Sequence, residues 1–152
     1  MKKISLLALC FALIDQIVKY IFTHVFSYGD SMDIIENFLA ITLLKNRGAA
    51  FGIFNSNTIF LVIVSIFVLV AIYFLFIKNT RLDKIDIVLY GMLIGGIVGN
   101  LIDRIYYGYV IDFIDVNILN FPVFNFADSF IVISIILICI KMMRSEKNEL
   151  RS

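Results

Sequence analysis

Long apolar runs separated by short polar segments dominate the sequence. Four of these runs approach the roughly 20 residues that an α-helix needs to cross a bilayer. Hydrocarbon accepts a backbone only where its polar groups are bonded internally, as they are in a helix. The pattern therefore predicts a mainly α membrane protein with four transmembrane helices. The predicted spans cover about residues 4–22, 59–77, 86–107 and 126–143.

The composition supports this interpretation and narrows the function classes. Of the 152 residues, 61% are apolar and 16% are charged, and the mean hydropathy is +0.98. Soluble domains have about 45–50% apolar and 25% charged residues. Four spans leave too little chain for a large catalytic domain outside the membrane, so residues 1–152 are predicted to form a single integral membrane domain. The net charge is only +1, and the basic residues form no patch interleaved with aromatic residues. We therefore do not expect the protein to bind nucleic acid.

Lysines and arginines cluster on one side of the predicted spans. They precede the first span, follow the last span, and occupy the loop at 78–85 between the second and third spans. Short cytoplasmic flanks of membrane helices are enriched in Lys and Arg. We therefore expect the N and C termini and this loop to be cytoplasmic, and segments 27–57 and 108–122 to be extracytoplasmic.

The two outer segments contain β-prone sequence. Residues 37–44 favour a strand that ends in a turn at 45–48, and residues 108–122 alternate loosely between apolar and polar positions. Both segments lie next to span ends and contain apolar residues. We expect them to form a small extracytoplasmic β-rich platform at the membrane surface.

The N-terminus admits a second interpretation, because two lysines followed by an apolar run resemble a secretory signal peptide. Leu9 is too bulky for the residue before a cleavage point, and the helical pattern continues through Asp15 to Lys19. We expect the segment to be retained as the first span. Cys10 and Cys139 both fall inside predicted spans, so neither a disulfide nor a metal site is expected.

Ionisable residues inside spans are costly and often functional. Asp15 and Lys19 are spaced i,i+4 with the acid first, the favourable order for a helical ion pair. The pair could also be structural, with Lys19 extending outward to the membrane surface.

The third span combines close packing with a polar arc. Gly91, Gly95 and Gly99 recur every four residues, which predicts a face that another helix approaches closely. Asp103 and Arg104 could simply mark the point where this helix meets water, but Asn100 lies one turn deeper. The residues of the adjoining arc are Asn100, Asp103 and Arg104.

A further polar group lies at the start of the fourth span. Asn125 and Asp128 have the spacing of a helix N-cap and its third residue, so capping alone would explain both. Asp112 in the preceding extended segment should reach the same membrane surface, although ordinary solvation would also explain it. Asp112 and Asp128 are therefore candidates to meet.

Elimination leaves carboxylates as the candidate chemistry. The single histidine, His24, excludes a His-Glu-x-x-His zinc site, and there is no P-loop. Two aspartates in a partly desolvated site share a proton and can act as acid and base without metal or cofactor. Physical reasoning does not select the pair. The candidates are Asp15, Asp103, Asp112, Asp115 and Asp128.

Five short motifs in chain order resemble the bacterial lipoprotein signal peptidase family, also called signal peptidase II, over nearly the whole chain. The motif positions show no departure from the family pattern, whereas the stretch between Asp112 and Asp128 carries no motif. The motifs are DQIVK at 15–19, NRGAAFG at 46–52, GIVGNLIDR at 96–104, VIDF at 110–113 and FNFAD at 124–128.

The resemblance implies a monomeric aspartic endopeptidase of the bacterial plasma membrane that acts on its extracytoplasmic side without a cofactor. Such enzymes remove the signal peptide from diacylglyceryl-modified prolipoproteins, cutting before the lipidated cysteine. The lipid chains and the signal-peptide helix of the substrate would lie among the membrane lipids, with the scissile bond at the wet outer surface. By motif, Asp112 and Asp128 would form the catalytic dyad. Asn100, Arg104 and Asn125 would shape the site and bind the substrate backbone, supported by Asp103. The remaining implied site residues, structural or substrate-positioning, are Asp15, Lys19, Asn46 and Gly48.

Two other function classes remain open at this point. A small transporter or channel also combines glycine-rich spans with charges, but it should carry charges near the bilayer centre and an internal repeat, which this sequence lacks. A non-catalytic assembly factor is the other alternative, and variants of the acid pair would distinguish it.

Overall fold

Four helices and three strands make up the computed structural model, which describes residues 1–48, 57–78, 80–117 and 121–149, with side chains described as far as residue 144. The helices are α1 (Lys2–Val25), α2 (Thr58–Ile72), α3 (Lys84–Tyr107) and α4 (Phe126–Glu149). Helix α2 continues into a π-helical turn at Tyr73–Ile77. The strands are β1 (Ser31–Ile35), β2 (Leu39–Asn46) and β3 (Val110–Val116).

The four predicted helices are confirmed, with ends that differ from the prediction by a few residues. Each is long and apolar enough to cross a membrane, and the second candidate span includes the π-helical turn as Thr58–Ile77. Large apolar side chains cover their outer surfaces; Phe67 is 71% exposed and Leu75 is 70% exposed. Such a surface is unfavourable in water and favourable in hydrocarbon.

Helix α3 lies at the centre and packs directly against α1 and α4. The predicted glycine face is present, since Gly91 and Gly95 contact α1 and Gly96 contacts α4. A Cβ added to Gly95 would lie 2.6 Å from the Phe11 Cβ and 2.7 Å from the Ala8 carbonyl oxygen. The absence of side chains at these positions therefore sets the distance between the helices.

The strands form one antiparallel sheet in the order β1-β2-β3. The expected platform is thus a sheet, but the turn predicted at 45–48 was wrong at its first two positions, because β2 continues through Asn46. Lys45 and Asn46 pair with Ile111 and Val110 of β3, and this long-range pairing overrides the local turn preference. The reversal lies instead between β1 and β2, where Asn37 has a φ of 55°. Residues 49–56 of this outer segment lie outside the described residues.

A tight connection joins α3 to β3. Gly108 ends the helix in the left-handed conformation, with a φ of 79°, and its N–H donates to the Arg104 carbonyl. Strand β3 then lies over a small apolar core in which Phe22 of α1 stacks on Phe113 at 4.5 Å between ring centroids. The turn and this core place β3 against the ends of α1 and α4.

Replacement of Gly95 by Ala should destabilise the protein. The new methyl group would overlap the backbone of α1, and overpacking of this kind costs about 1–3 kcal/mol. Alanine is favoured over glycine inside a helix by roughly 1 kcal/mol. The overpacking cost should therefore exceed the gain in helix propensity. Thermal unfolding in detergent would measure the change. Val88→Leu on the exposed face of the same helix is the control, and equal stability of the two variants would contradict the close packing.

Candidate active site

A buried ion cluster joins α1 to α3. Lys19 is 1% exposed, and its Nζ lies 2.7 Å from an Asp15 oxygen and 2.8 Å from an Asp103 oxygen. The predicted pair of Asp15 and Lys19 is therefore present, but Lys19 does not extend to the surface. Its third contact is the side-chain oxygen of Asn100 at 3.1 Å, so all three N–H groups of the ammonium have partners.

The two aspartates of this cluster also hold backbone groups beside Asp112 and Asp128. Asp15 Oδ1 accepts the N–H of Ala127 at 2.9 Å, one residue before Asp128. Asp103 Oδ2 accepts the N–H of Ile111 at 3.1 Å, one residue before Asp112. The ion cluster thus fixes the backbone at both acid positions.

Two asparagine amides extend the network from the ion cluster to the acid pair. Because Asn100 Oδ1 accepts from Lys19, its NH2 group faces the other way and donates to Asp128 Oδ1 at 2.7 Å. The NH2 group of Asn125 donates to Asp112 Oδ1 at 2.7 Å and to Asn100 Oδ1 at 3.1 Å. The backbone N–H of Asn125 donates to Asp128 Oδ2 at 3.2 Å. Asp112 and Asp128 therefore share one residue as a hydrogen-bond partner.

The capping interpretation of Asn125 is also correct. Its Oδ1 accepts the N–H of Asp128 at 2.9 Å while Asp128 accepts the N–H of Asn125, which is the reciprocal geometry of a capping box. Capping occupies the oxygen of the Asn125 amide and leaves its NH2 group for Asp112. One residue therefore begins α4 and connects the two carboxylates.

Asn46 of β2 contacts Asp112 from the other side. Its Nδ2 donates to Asp112 Oδ2 at 2.8 Å, while its Oδ1 accepts the N–H of Gly48 at 2.9 Å. The Gly48 contact orients the amide, so that the NH2 group points to the carboxylate. Gly48 thus belongs to the site through its backbone.

Burial has a strong effect on Asp112, which is 2% exposed. Removal from water raises the pKa of Asp112 to about 7, and the negative charge of Asp128 adds to this increase. The hydrogen bonds from Asn46 and Asn125 act in the opposite direction. Asp112 therefore exchanges its proton near neutral pH.

A cavity of about 430 Å³ adjoins Asp128. Asn46, Arg104, Asp128 and Ser129 provide its polar wall, and Asp112, which does not line the cavity, accepts a hydrogen bond from Asn46. The rest of the lining is apolar and comes from β3, the segment before α4 and the first turns of α4, including Phe124 and Val132. The cavity can accept a ligand with a polar group at one end and a long apolar part.

The structure brings the sequence-predicted site residues together. All except Arg104 belong to one connected set of hydrogen bonds and ion pairs, and Arg104 lines the same cavity. Asp115, the remaining candidate carboxylate, does not belong to this set. Its carboxylate instead accepts a hydrogen bond from the Thr42 hydroxyl at 2.8 Å. The segment expected to cover the site, 46–52, is described only as far as Gly48, and residues 49–52 lie outside the described residues.

Sequence reasoning missed one member of the network. Gln16 Nε2 donates to Asp103 Oδ1 at 2.8 Å and to the Gly99 carbonyl at 3.1 Å. Its position between Asp15 and Lys19, on the polar part of a span, was the available signal. Among the described residues no three His, Cys, Asp or Glu side chains are grouped closely enough to hold a metal ion.

The fold and the site together define a four-helix membrane protein with a network of buried carboxylates below a small sheet. Residues 7–144 match the family model described as Signal peptidase (SPase) II. The chain therefore belongs to the signal peptidase II family, and the resemblance seen in the sequence motifs is confirmed.

Curated relatives and solved structures agree with this assignment. The chain is 40% identical over 95 residues to lipoprotein signal peptidases of Staphylococcus aureus strains JH9 and Newman. That stretch is 62% of this chain and spans 58% of the length of each relative.

Two solved structures, each described as a bacterial membrane enzyme determined by the in meso method, are also similar. One, at 2.3 Å resolution, has a TM-score of 0.88 and 39% identity over 97% of this chain and 92% of its own. The other, at 1.9 Å resolution, has a TM-score of 0.82 and 40% identity over 93% of each chain.

Replacement of Lys19 by Met should lower the free energy of unfolding by about 3–5 kcal/mol, the usual cost of leaving buried charges without their partner. Asp15 and Asp103 would then be two buried like charges. Lys141→Met is a matched control, because Lys141 also bridges two aspartates, Asp83 and Asp86, but is 35% exposed.

Water and salt screen the Lys141 cluster, so its loss should have a much smaller effect. Thermal unfolding in detergent would compare the two variants. Equal losses would contradict a special role for the buried cluster.

Proposed function

We propose that the protein is a membrane aspartic endopeptidase that removes the signal peptide from diacylglyceryl-modified prolipoproteins. It cleaves before the lipidated cysteine, and Asp112 and Asp128 activate the attacking water. Membership of the signal peptidase II family supports the substrate class, as do relatives that carry the name lipoprotein signal peptidase.

One observation carries the choice of the acid pair. Asp15 and Asp103 are both engaged by Lys19, and Asp115 is engaged by Thr42. Of the five candidate carboxylates this leaves Asp112 and Asp128, which share Asn125 as a partner, and Asp128 lines the cavity. Within the described part of the chain their hydrogen-bond donors are neutral, so no cation there is bonded directly to either carboxylate.

The proposed reaction uses one proton held by the pair. The ionised carboxylate removes a proton from water, and the water oxygen attacks the carbonyl carbon of the scissile amide. The protonated carboxyl donates its proton to the carbonyl oxygen. When the tetrahedral intermediate collapses, one of its hydroxyl groups returns a proton to the ionised carboxylate. The C–N bond breaks, and the leaving amine takes up the proton of the other carboxyl, so that the pair again holds one proton.

The residues around the pair have supporting roles in this proposal. Asn100 and Asn125 hold the carboxylates, and Asn100 is itself oriented by Lys19. Arg104 and Asn46 line the cavity and would donate hydrogen bonds to the peptide backbone of the substrate. Asp15 and Asp103 hold the backbone N–H groups of Ala127 and Ile111, next to the two carboxylates. The backbone N–H of Gly48 orients the side-chain amide of Asn46.

The shape and chemistry of the cavity fit such a substrate. Its polar wall contains Asp128, where the scissile bond would lie. Its apolar wall includes Val132 and Ile133 of α4, which are 55% and 48% exposed on the outer surface of the helix bundle. A signal-peptide helix and acyl chains could therefore remain in hydrocarbon while the amide reaches the acid pair.

The proposal places the site on the extracytoplasmic side of the bacterial plasma membrane. The sheet lies at one end of the helices, and the basic flanks at Lys2, Lys3, Lys84 and Arg144 lie at the other. The enrichment of cytoplasmic flanks in Lys and Arg supports cytoplasmic termini. Residues 1–152 would act as one membrane domain and as a monomer.

Asp112→Asn and Asp128→Asn should each lower cleavage of a lipidated precursor by at least about a hundredfold, the effect of losing a positioned acid or base. Gel-shift assays with purified protein in detergent would measure cleavage. An unmodified precursor tests whether the lipid is required.

Asp115→Asn is the matched control, because Asp115 lies on the same strand but binds Thr42. It should retain activity, and all three variants should unfold near the temperature of the wild type. Full cleavage activity of either acid-pair variant would contradict the assignment of the dyad. Normal activity of these variants in cells would favour a non-catalytic assembly factor.

The rate should also depend on pH through Asp112. Its pKa is raised to about 7, so the carboxyl is protonated below that pH and ionised above it. If the singly protonated pair is the active form, kcat/KM falls as the pH rises through this value. A pH–rate profile would measure the midpoint.

Asn46→Leu should move this midpoint to higher pH. The variant loses a hydrogen bond that stabilises ionised Asp112, so the pKa rises further. The variant should also lower the maximal rate. The midpoint of the pH profile does not depend on that rate, so the two effects can be measured separately. An unchanged midpoint, or a rate that increases from pH 7 to 9, would contradict the proposed role of Asp112.

A further inference from the structure

A lysine between two tyrosine rings lies at the sheet end of the helices. Lys45 Nζ is 4.3 Å from the ring centroid of Tyr28 and 5.0 Å from that of Tyr109. The two rings meet edge to face at 5.9 Å, and their hydroxyl oxygens are 3.3 Å apart. Attraction to two aromatic faces holds the ammonium in place but does not cancel its charge.

Lys45 has no acidic partner within the part of the chain that the structure describes. Its contacts there are the two rings and the strand pairing of β2 with β3. The undescribed segments nearest to it in sequence, 49–56 and 118–120, contain no Asp or Glu. A fixed, exposed positive charge without a carboxylate can accept an external anion.

The lysine and its two tyrosines lie where two candidate spans end. Tyr28 follows the last residue of α1, Val25, by three positions, and Tyr109 follows the last residue of α3, Tyr107, by two. Tyrosine is enriched at this depth of a membrane, where headgroups meet hydrocarbon. The positive charge of Lys45 therefore lies at the level of lipid phosphates.

A groove beside Tyr107 lies between α1 and α3 in the membrane region. It has a volume of about 290 Å³. Its lining includes Ile17, Tyr20, Thr23, Tyr107 and Ile111, together with Gln16 and Lys19 of the buried network. Tyr107 connects the groove to the lysine, because its ring stacks on Tyr109 at 5.7 Å. This groove and the cavity beside Asp128 have no lining residue in common.

We propose that this surface binds one anionic phospholipid, with the phosphate on Lys45 and an acyl chain in the groove. The tyrosine pair supplies a second donor, since one hydroxyl donates to the other and the remaining O–H proton is free for a phosphate oxygen. A zwitterionic lipid carries its own ammonium beside the phosphate, so it gains less from Lys45. The site requires the membrane placement proposed above but not the proteolytic activity.

Lipid binding to delipidated full-length protein in detergent tests this proposal. Native mass spectrometry would count bound phosphatidylglycerol and phosphatidylcholine with identical acyl chains. Wild type should prefer phosphatidylglycerol, and Lys45→Gln should lower that preference roughly fivefold, the usual contribution of one basic residue at an anionic membrane surface. Lys45→Arg should retain it.

Lys78→Gln is the matched control, because Lys78 also lies over an aromatic ring, 5.1 Å from the centroid of Phe74, but at the opposite ends of the helices. It should leave the preference unchanged. Thr23→Phe, which fills the groove without changing the charge, should weaken binding of phosphatidylglycerol.

Three outcomes would overturn the proposal. They are the absence of a preference in the wild type, equal losses in Lys45→Gln and Lys78→Gln, and displacement of phosphatidylglycerol by an equal concentration of inorganic phosphate. The last outcome would indicate a site for a free anion. Because lipid binding is measured directly, none of these outcomes depends on peptide cleavage, and inactive acid-pair variants should still bind the lipid.

Discussion

The contact on which the rest of the structure depends is the buried ammonium of Lys19 between Asp15 and Asp103. A charge in this environment is tolerated only with partners for every N–H group, and the three acceptors come from two helices. Each aspartate uses further lone pairs to hold a backbone N–H next to one carboxylate of the acid pair. The same contacts therefore fix both the packing of α1 on α3 and the geometry of the site. Gly99 makes these contacts possible, because a side chain at that position would collide with the Asp15 carboxylate.

The two asparagine amides transmit this constraint because an amide has distinct ends. Lys19 can only donate, so the oxygen of Asn100 faces it and the NH2 group faces Asp128. The Asn125 oxygen is used for helix capping, so its NH2 group faces Asp112. The two carboxylates consequently have different surroundings: Asp112 is buried below the sheet, and Asp128 lines the cavity. Unequal surroundings are what a pair needs to divide the roles of acid and base.

The sheet and the helix ends keep these groups at one level of the molecule. Strand β3 carries Asp112 across the start of α4, where Asp128 lies in the first turn. The polar cavity wall and the tyrosines with Lys45 lie at that same level, while the helix surfaces below it are apolar. A substrate or lipid with a polar head and long apolar chains matches this division, since each part finds its own environment.

Much of the fold follows from local sequence. Apolar runs of span length require helices in hydrocarbon, glycines every four residues predict a close helix contact, and Asn125 with Asp128 predicts a cap. Local sequence could not show that Lys45 and Asn46 continue a strand, because pairing with distant Val110 and Ile111 overrides their turn preference. Nor could local sequence show which of the five aspartates bind Lys19, which one binds Thr42, and which two share Asn125 as a partner. That sorting depends on distances between helices and strands far apart in the chain, which only the packed tertiary structure determines.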